Sequence, residues 1–182
     1  MTQNSIILWC TGMSGSGKTT LSSEVEKLLL RDGLRSMIID GDEKRKSDNK
    51  KLSFSKKDII ENNLSISNRC KTLRSKFDII FVSVITPYSE TRELIKKDLS
   101  PNCKIVYMKA TLDSLISRDT KGLYKQAKSG TLDNLIGFSP SNPYEPPLSA
   151  DLTLETSNES NLSSNIKTFY KFIKKQLDED HS

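Results

Sequence analysis

The chain has 182 residues, 35% of them hydrophobic and 28% charged, and a formal net charge of +5. That length suits one domain with a sizeable core, and no apolar stretch is long enough to span a bilayer. A single histidine, His181 beside the C-terminus, and three cysteines without paired spacing (Cys10, Cys70, Cys103) exclude Ser–His nucleophiles, His-ligated metals and a zinc or disulfide framework. The N-terminus has no basic-then-apolar signal pattern, so a cytoplasmic protein is expected.

In chain order, Ile6-Ile7-Leu8-Trp9-Cys10 is an apolar run that reads as a buried strand. It leads into Gly12-Met13-Ser14-Gly15-Ser16-Gly17-Lys18-Thr19, a phosphate-binding loop in the context that gives the motif meaning, a strand before and a helix after. Leu21, Val25, Leu28 and Leu29 follow at helical spacing, which predicts a helix over 19–31 stopped by Gly33. Further strands are expected at 37–40, 78–85, 104–108 and 151–154, with helices at 57–71, 88–98 and 112–129. A last helix places Leu162, Ile166, Phe169, Tyr170, Ile173 and Leu177 on one face, read as core. Residues 130–147 are rich in Gly, Pro, Ser and Asn, a loop of the length associated with lids. The β-α alternation with continuously apolar strands predicts an α/β fold, a five-stranded parallel sheet flanked by helices as in P-loop NTPases. One domain over 1–182, with a lid at about 118–147, is the expected organisation.

The chemistry of the loop follows from its residue types. The backbone around Gly12, Ser14, Gly15, Ser16 and Gly17 can curl its N–H groups about an anion, and the helix starting near Lys18, Thr19 and Thr20 turns its positive dipole end to the same place. Lys18 reaches the β- and γ-phosphates of a nucleoside triphosphate, and the Thr19 hydroxyl suits Mg2+. In an open α/β sheet, ligands gather outside the carboxyl ends of the strands. Three other segments fall there. Asp40-Gly41-Asp42 offers carboxylates for Mg2+ or for a base, with a helix N-cap as the alternative. Ser83-Val84-Ile85-Thr86-Pro87-Tyr88 offers a wall for a base pocket, or only a helix start at Pro87. Arg118-Asp119-Thr120-Lys121-Gly122-Leu123-Tyr124-Lys125 offers cations to close over a transferring phosphoryl group, Lys125 and Lys128 reading better as an exposed charged face.

Basic residues also cluster at Lys44, Arg45, Lys46, Lys50, Lys51, Lys56 and Lys57, but without aromatic interleaving or a DNA-binding motif. Neither nucleic acid nor a membrane is expected as a partner. A guanine-type Asn-Lys-x-Asp motif is lacking, which disfavours a switch NTPase.

Taken together, these motifs resemble the adenylylsulfate kinase family over about residues 6–154. The phosphate loop is shared widely; Asp40-Gly41-Asp42 with Arg45, Phe54-Ser55 with Asp58 and Glu61-Asn62, Lys121-Gly122-Leu123-Tyr124-Lys125, and Pro143-Tyr144-Glu145-Pro146-Pro147 are more specific. The resemblance implies ATP-dependent, Mg2+-assisted phosphorylation of the ribose 3′-hydroxyl of adenylyl sulfate. It places Asp40 nearest the accepting hydroxyl or the metal, with Lys18 and Lys121 acting on the transferred group and Arg118 on the ATP side. Asp42, Arg45, Phe54, Asn62 and Ile85 would line the site of the small-molecule nucleotide acceptor, and Lys121 would belong to the closing lid. A homodimer stays open. The chain departs from the family pattern at Ile59, where an arginine is usual, at Leu64-Ser65 for Arg-Arg, and at Asn134-Leu135-Ile136-Gly137 for Gly-Phe-Thr-Gly, Phe138 being the nearest aromatic. These changes keep a second acceptor in view, cytidine diphosphoramidate, the substrate of related capsule-modification kinases.

Overall fold

The computed structural model describes residues 5–41 and 55–180. Five strands form one parallel sheet: β1 (Ile6–Thr11), β2 (Ser36–Asp40), β3 (Ile79–Ser83), β4 (Cys103–Lys109) and β5 (Leu152–Glu155). Their order across the sheet is β2-β3-β1-β4-β5. The helices are α1 (Lys18–Arg31), α2 (Lys56–Leu73), α3 (Ser89–Asp98), α4 (Leu112–Arg118), α5 (Leu123–Lys128) and α6 (Leu162–Asp180).

Side chains of a strand alternate between faces, and both faces of this sheet are covered at its centre, which is why β1 and β3 read as nearly continuous apolar runs. Ile6, Leu8 and Cys10 of β1 pack with Phe81, Val106, Phe169 and Ile173 on the side of α1 and α6. Ile7 and Trp9 pack with Ile39, Ile66, Val82, Ile95 and Ile105 on the side of α2 and α3. Burial pushes the Cys10 and Cys103 thiols up to about 12, which suppresses thiolate chemistry at both. No helix among the described residues is long and apolar enough to cross a membrane.

Each expected strand is present, shifted at its ends by one or two residues. Helix α1 stops as its sequence suggests: Gly33, at φ 79°, donates to Leu30 O and Leu34 donates to Leu29 O, the paired bonds of a Schellman stop. The single helix expected over 112–129 is instead two. Asp119 takes a φ of 23° and Gly122 one of 66°, which breaks the ladder. The Asp119 carboxylate then accepts from the N–H groups of Tyr124 at 3.1 Å and Lys125 at 2.9 Å, so the break also starts α5.

Phe81 and Phe169 meet edge to face with ring centroids 5.8 Å apart, joining β3 to α6. Phe169→Ala is expected to lower the unfolding free energy by about 3–5 kcal/mol, read from urea denaturation. A loss under about 1 kcal/mol would mean that α6 is not part of the cooperative core.

Candidate active site

The phosphate loop leaves the end of β1 and enters α1 at Lys18. Gly12 lies behind it, against β4: a Cβ there would stand 2.5 Å from Ser16 Oγ and 2.6 Å from Met108 O. Its part is to let the turn approach the sheet. Ser16 N donates to Met13 O at 3.2 Å, closing a turn around Ser14 and Gly15. Lys18 is 9% exposed and its Nζ donates to the carbonyls of Gly12 and Met13 at 2.8 and 2.9 Å. The Thr19 hydroxyl donates to Asp40 Oδ2 at 2.6 Å, so the loop and the end of β2 meet through two hard oxygen groups.

A cavity of about 980 Å³ opens over the loop and has three sides. Its floor is Ser14, Gly15, Ser16, Gly17, Lys18, Thr19 and Thr20. Asp40, Asn62, Ser83, Val84 and Ile85 also line the cavity, together with Leu135 and Ile136, the latter packed in one cluster with Ile85. On the remaining side Arg118 and Lys121 face the start of α6 and the turn before it, through Thr156, Asn158, Leu162 and Asn165. Arg118 is held by two carbonyls, Ser114 O at 3.2 Å and Thr156 O at 2.6 Å, which fixes the plane of its guanidinium at the cavity edge. The amide oxygen of Asn62, 2% exposed, has no hydrogen-bond partner among the described residues. A buried acceptor of this kind calls for a donor from a ligand.

The far wall is tied down. Tyr88 donates its OH to Asn142 Oδ1 at 2.8 Å, and Asn142 donates to Asn134 O at 3.0 Å. The buried Arg92 donates to Thr86 O and to Glu145 O, both at 2.7 Å, and burial lowers its pKa from the usual arginine value. Tyr88 therefore braces residues 134–142 and does not line the cavity, unlike Ile85.

The departures noted in the sequence do not share one location. Ile59 is 1% exposed and packs with Tyr88 and Ile136 beneath the wall, short of the cavity. Leu64 and Ser65 line a separate groove on the outer side of α2 with Ile60 and Asn68. Leu135 and Ile136 do line the cavity. Phe138 does not take the place of the missing aromatic there: its ring packs edge-on against Tyr124, centroids 6.0 Å apart.

Of the expected site residues, the structure brings Ser14 to Thr20, Asp40, Asn62, Ile85, Arg118 and Lys121 to the one cavity, with Gly12 directly behind. Asp42, Arg45 and Phe54 lie outside the described residues. Sequence reasoning missed the polar stretch from Thr156 to Asn165, which lines the cavity. Its signal was position alone: it follows the carboxyl end of β5, where ligands of such sheets gather.

A family model described as adenylylsulphate kinase matches residues 4–155. An adenylyl-sulfate kinase of Oceanobacillus iheyensis is 37% identical over 171 residues, covering 93% of this chain and 84% of the relative. One from Halothermothrix orenii is 38% identical over 158 residues, covering 87% and 84%. Among solved structures, the Mycobacterium tuberculosis APS kinase in complex with AMPPNP and APS superimposes with a TM-score of 0.86 at 29% identity, over 94% of this chain and 98% of that one.

Because the Met108 carbonyl is backbone and cannot swing aside, Gly12→Ala should force the loop off β4. The expected result is a destabilisation of about 1–3 kcal/mol in urea denaturation together with weakened nucleotide binding by calorimetry. Unchanged values in both measurements would refute the close approach.

Proposed function

Because the chain belongs to the adenylylsulfate kinase family, we propose that it transfers the γ-phosphoryl group of ATP to the ribose 3′-hydroxyl of adenylyl sulfate. The observation that carries this reading is the single cavity that runs from Asn158 and Asn165, over the phosphate loop, to Asp40, Asn62 and Ile85. Such a cavity would accommodate a donor over the loop and an acceptor beside Asp40. The N–H groups of the loop and Lys18 would hold the polyphosphate, and Arg118 and Lys121 would neutralise charge gathering on the transferred group. Asp40 would orient the accepting hydroxyl and take its proton as the new P–O bond forms and ADP departs. Phosphoryl transfer needs positioning and charge neutralisation more than covalent help, so a site without histidine suffices.

The donor set also fits Mg2+. The Thr19 hydroxyl and Asp40 carboxylate, 2.6 Å apart, would be its protein ligands, in keeping with an ion that is bound by one or two protein oxygens plus substrate phosphates. When bound, Mg2+ would supply charge neutralisation for the polyphosphate. The lid residues 118–147 and the sheet contribute to the same cavity, which supports one domain, and ATP as donor supports a cytoplasmic setting.

A second acceptor, cytidine diphosphoramidate, is favoured by one observation: Leu135 and Ile136 give the acceptor side an aliphatic wall where the family pattern carries an aromatic. ADP release measured with each acceptor distinguishes the two. Turnover with adenylyl sulfate, yielding the 3′-phosphorylated product, is expected; turnover confined to cytidine diphosphoramidate would transfer the assignment, and turnover with neither would sink both. Asp40→Asn should lower kcat by roughly two to four orders of magnitude. An Asp40→Asn enzyme of ordinary kcat would remove Asp40 from the reaction.

A further inference from the structure

The chemistry above makes no use of Tyr124, a residue of α5 three positions beyond Lys121. Its side chain is 1% exposed, and its OH donates to the Ser14 carbonyl at 2.9 Å. The ring is fixed independently of that bond, among Leu115, Leu135 and Met13 and edge-on to Phe138. Burial pushes its phenol up to about 12, so the group remains a donor throughout the working pH range of a kinase.

The bond falls on a mechanically sensitive place. Met13, Ser14, Gly15 and Ser16 form a β-turn closed by the Ser16 N to Met13 O bond, and Gly15 has the φ of 77° that marks type II. Types I and II differ chiefly by a flip of the central peptide, here the one joining Ser14 to Gly15. In a trans peptide the C=O and N–H point in opposite directions. With the Ser14 carbonyl held toward α5, the Gly15 N–H points the other way, and Gly15 lines the cavity. That N–H forms no hydrogen bond with the described residues. A flipped peptide would turn a carbonyl oxygen toward the phosphates in place of a donor, exchanging attraction for repulsion.

We propose that Tyr124 is a positioning residue for the phosphate donor: its hydroxyl selects the peptide orientation in which the Gly15 N–H faces the polyphosphate, so that docking of α5 and the shape of the phosphate cradle are set together. This rests on the reading that residues 12–19 hold the phosphates of ATP.

Tyr124→Phe removes the hydroxyl and keeps the packed ring. Binding of ATP and of inorganic tripolyphosphate is measured by calorimetry on wild type and variant, with thermal midpoints and the KM for the nucleotide acceptor alongside. The expected result is a roughly three- to tenfold loss of affinity, equal for ATP and tripolyphosphate, with the acceptor KM unchanged. A lowered thermal midpoint with ATP affinity intact would make Tyr124 a packing residue only and overturn the proposal. So would an effect confined to the acceptor KM. If tripolyphosphate fails to compete with ATP on the wild-type protein, the phosphate-loop reading fails first and the proposal falls with it.

Discussion

The site depends on β1 being held from every direction. It is paired to β3 on one edge and β4 on the other, and all six of its residues are buried. A phosphate cradle made of backbone N–H groups works only if those groups keep their directions when no ligand is present to organise them. Hanging the loop from the central strand of the sheet supplies that. The same strand is also the reference for the opposite wall. Trp9 Nε1 donates to Thr86 Oγ1 at 2.7 Å, and Thr86 in turn donates to Asn63 Oδ1 on α2 at 2.8 Å. Thr11 and Tyr144 share a hydroxyl contact of 3.0 Å, and Arg92 joins the Thr86 and Glu145 carbonyls. The phosphate loop and the wall at Thr86, Tyr144 and Glu145 are thereby located relative to one strand, which holds their separation.

The parts of this arrangement that were legible in the sequence are those with a local cause. Strands buried on both faces are apolar along most of their length, so 6–10 and 78–85 stand out as runs. The phosphate loop needs glycine where φ is positive, and Gly15 and Gly17 satisfy this at 77° and 88°. What sequence reasoning missed depends on side-chain contacts and strand placement that composition does not show. The break between α4 and α5 comes from Asp119 accepting two backbone N–H bonds from the next helix, an interaction hidden in a stretch whose composition is simply helical and charged. Gly122 was the visible mark of it. The cavity lining at Thr156 to Asn165 looks in sequence like an ordinary polar turn, and only the placement of β5 at the sheet edge beside β4 brings it to the ligand side.

Family departures read along a sequence weigh equally; placed in the structure they do not. Losing a cation matters to an anionic substrate only where that cation would face it, since a charge-assisted bond is worth about 1.5–3 kcal/mol when made and nothing when out of reach. Ile59 is enclosed by Tyr88 and Ile136, where an aliphatic side chain props the wall and a guanidinium would need partners that this cluster does not offer. Leu64 and Ser65 lie on the outer side of α2, away from the cavity. The substitution that lines the cavity is Leu135 with its neighbour Ile136. An aliphatic wall buries a base face by the hydrophobic effect but forgoes the added geometric preference of an aromatic stack, about 0.5–1.5 kcal/mol beyond the area buried. Discrimination of an acceptor bound there would then pass from stacking to hydrogen bonding, and Asn62, whose buried amide oxygen has no partner among the described residues, lines the same cavity.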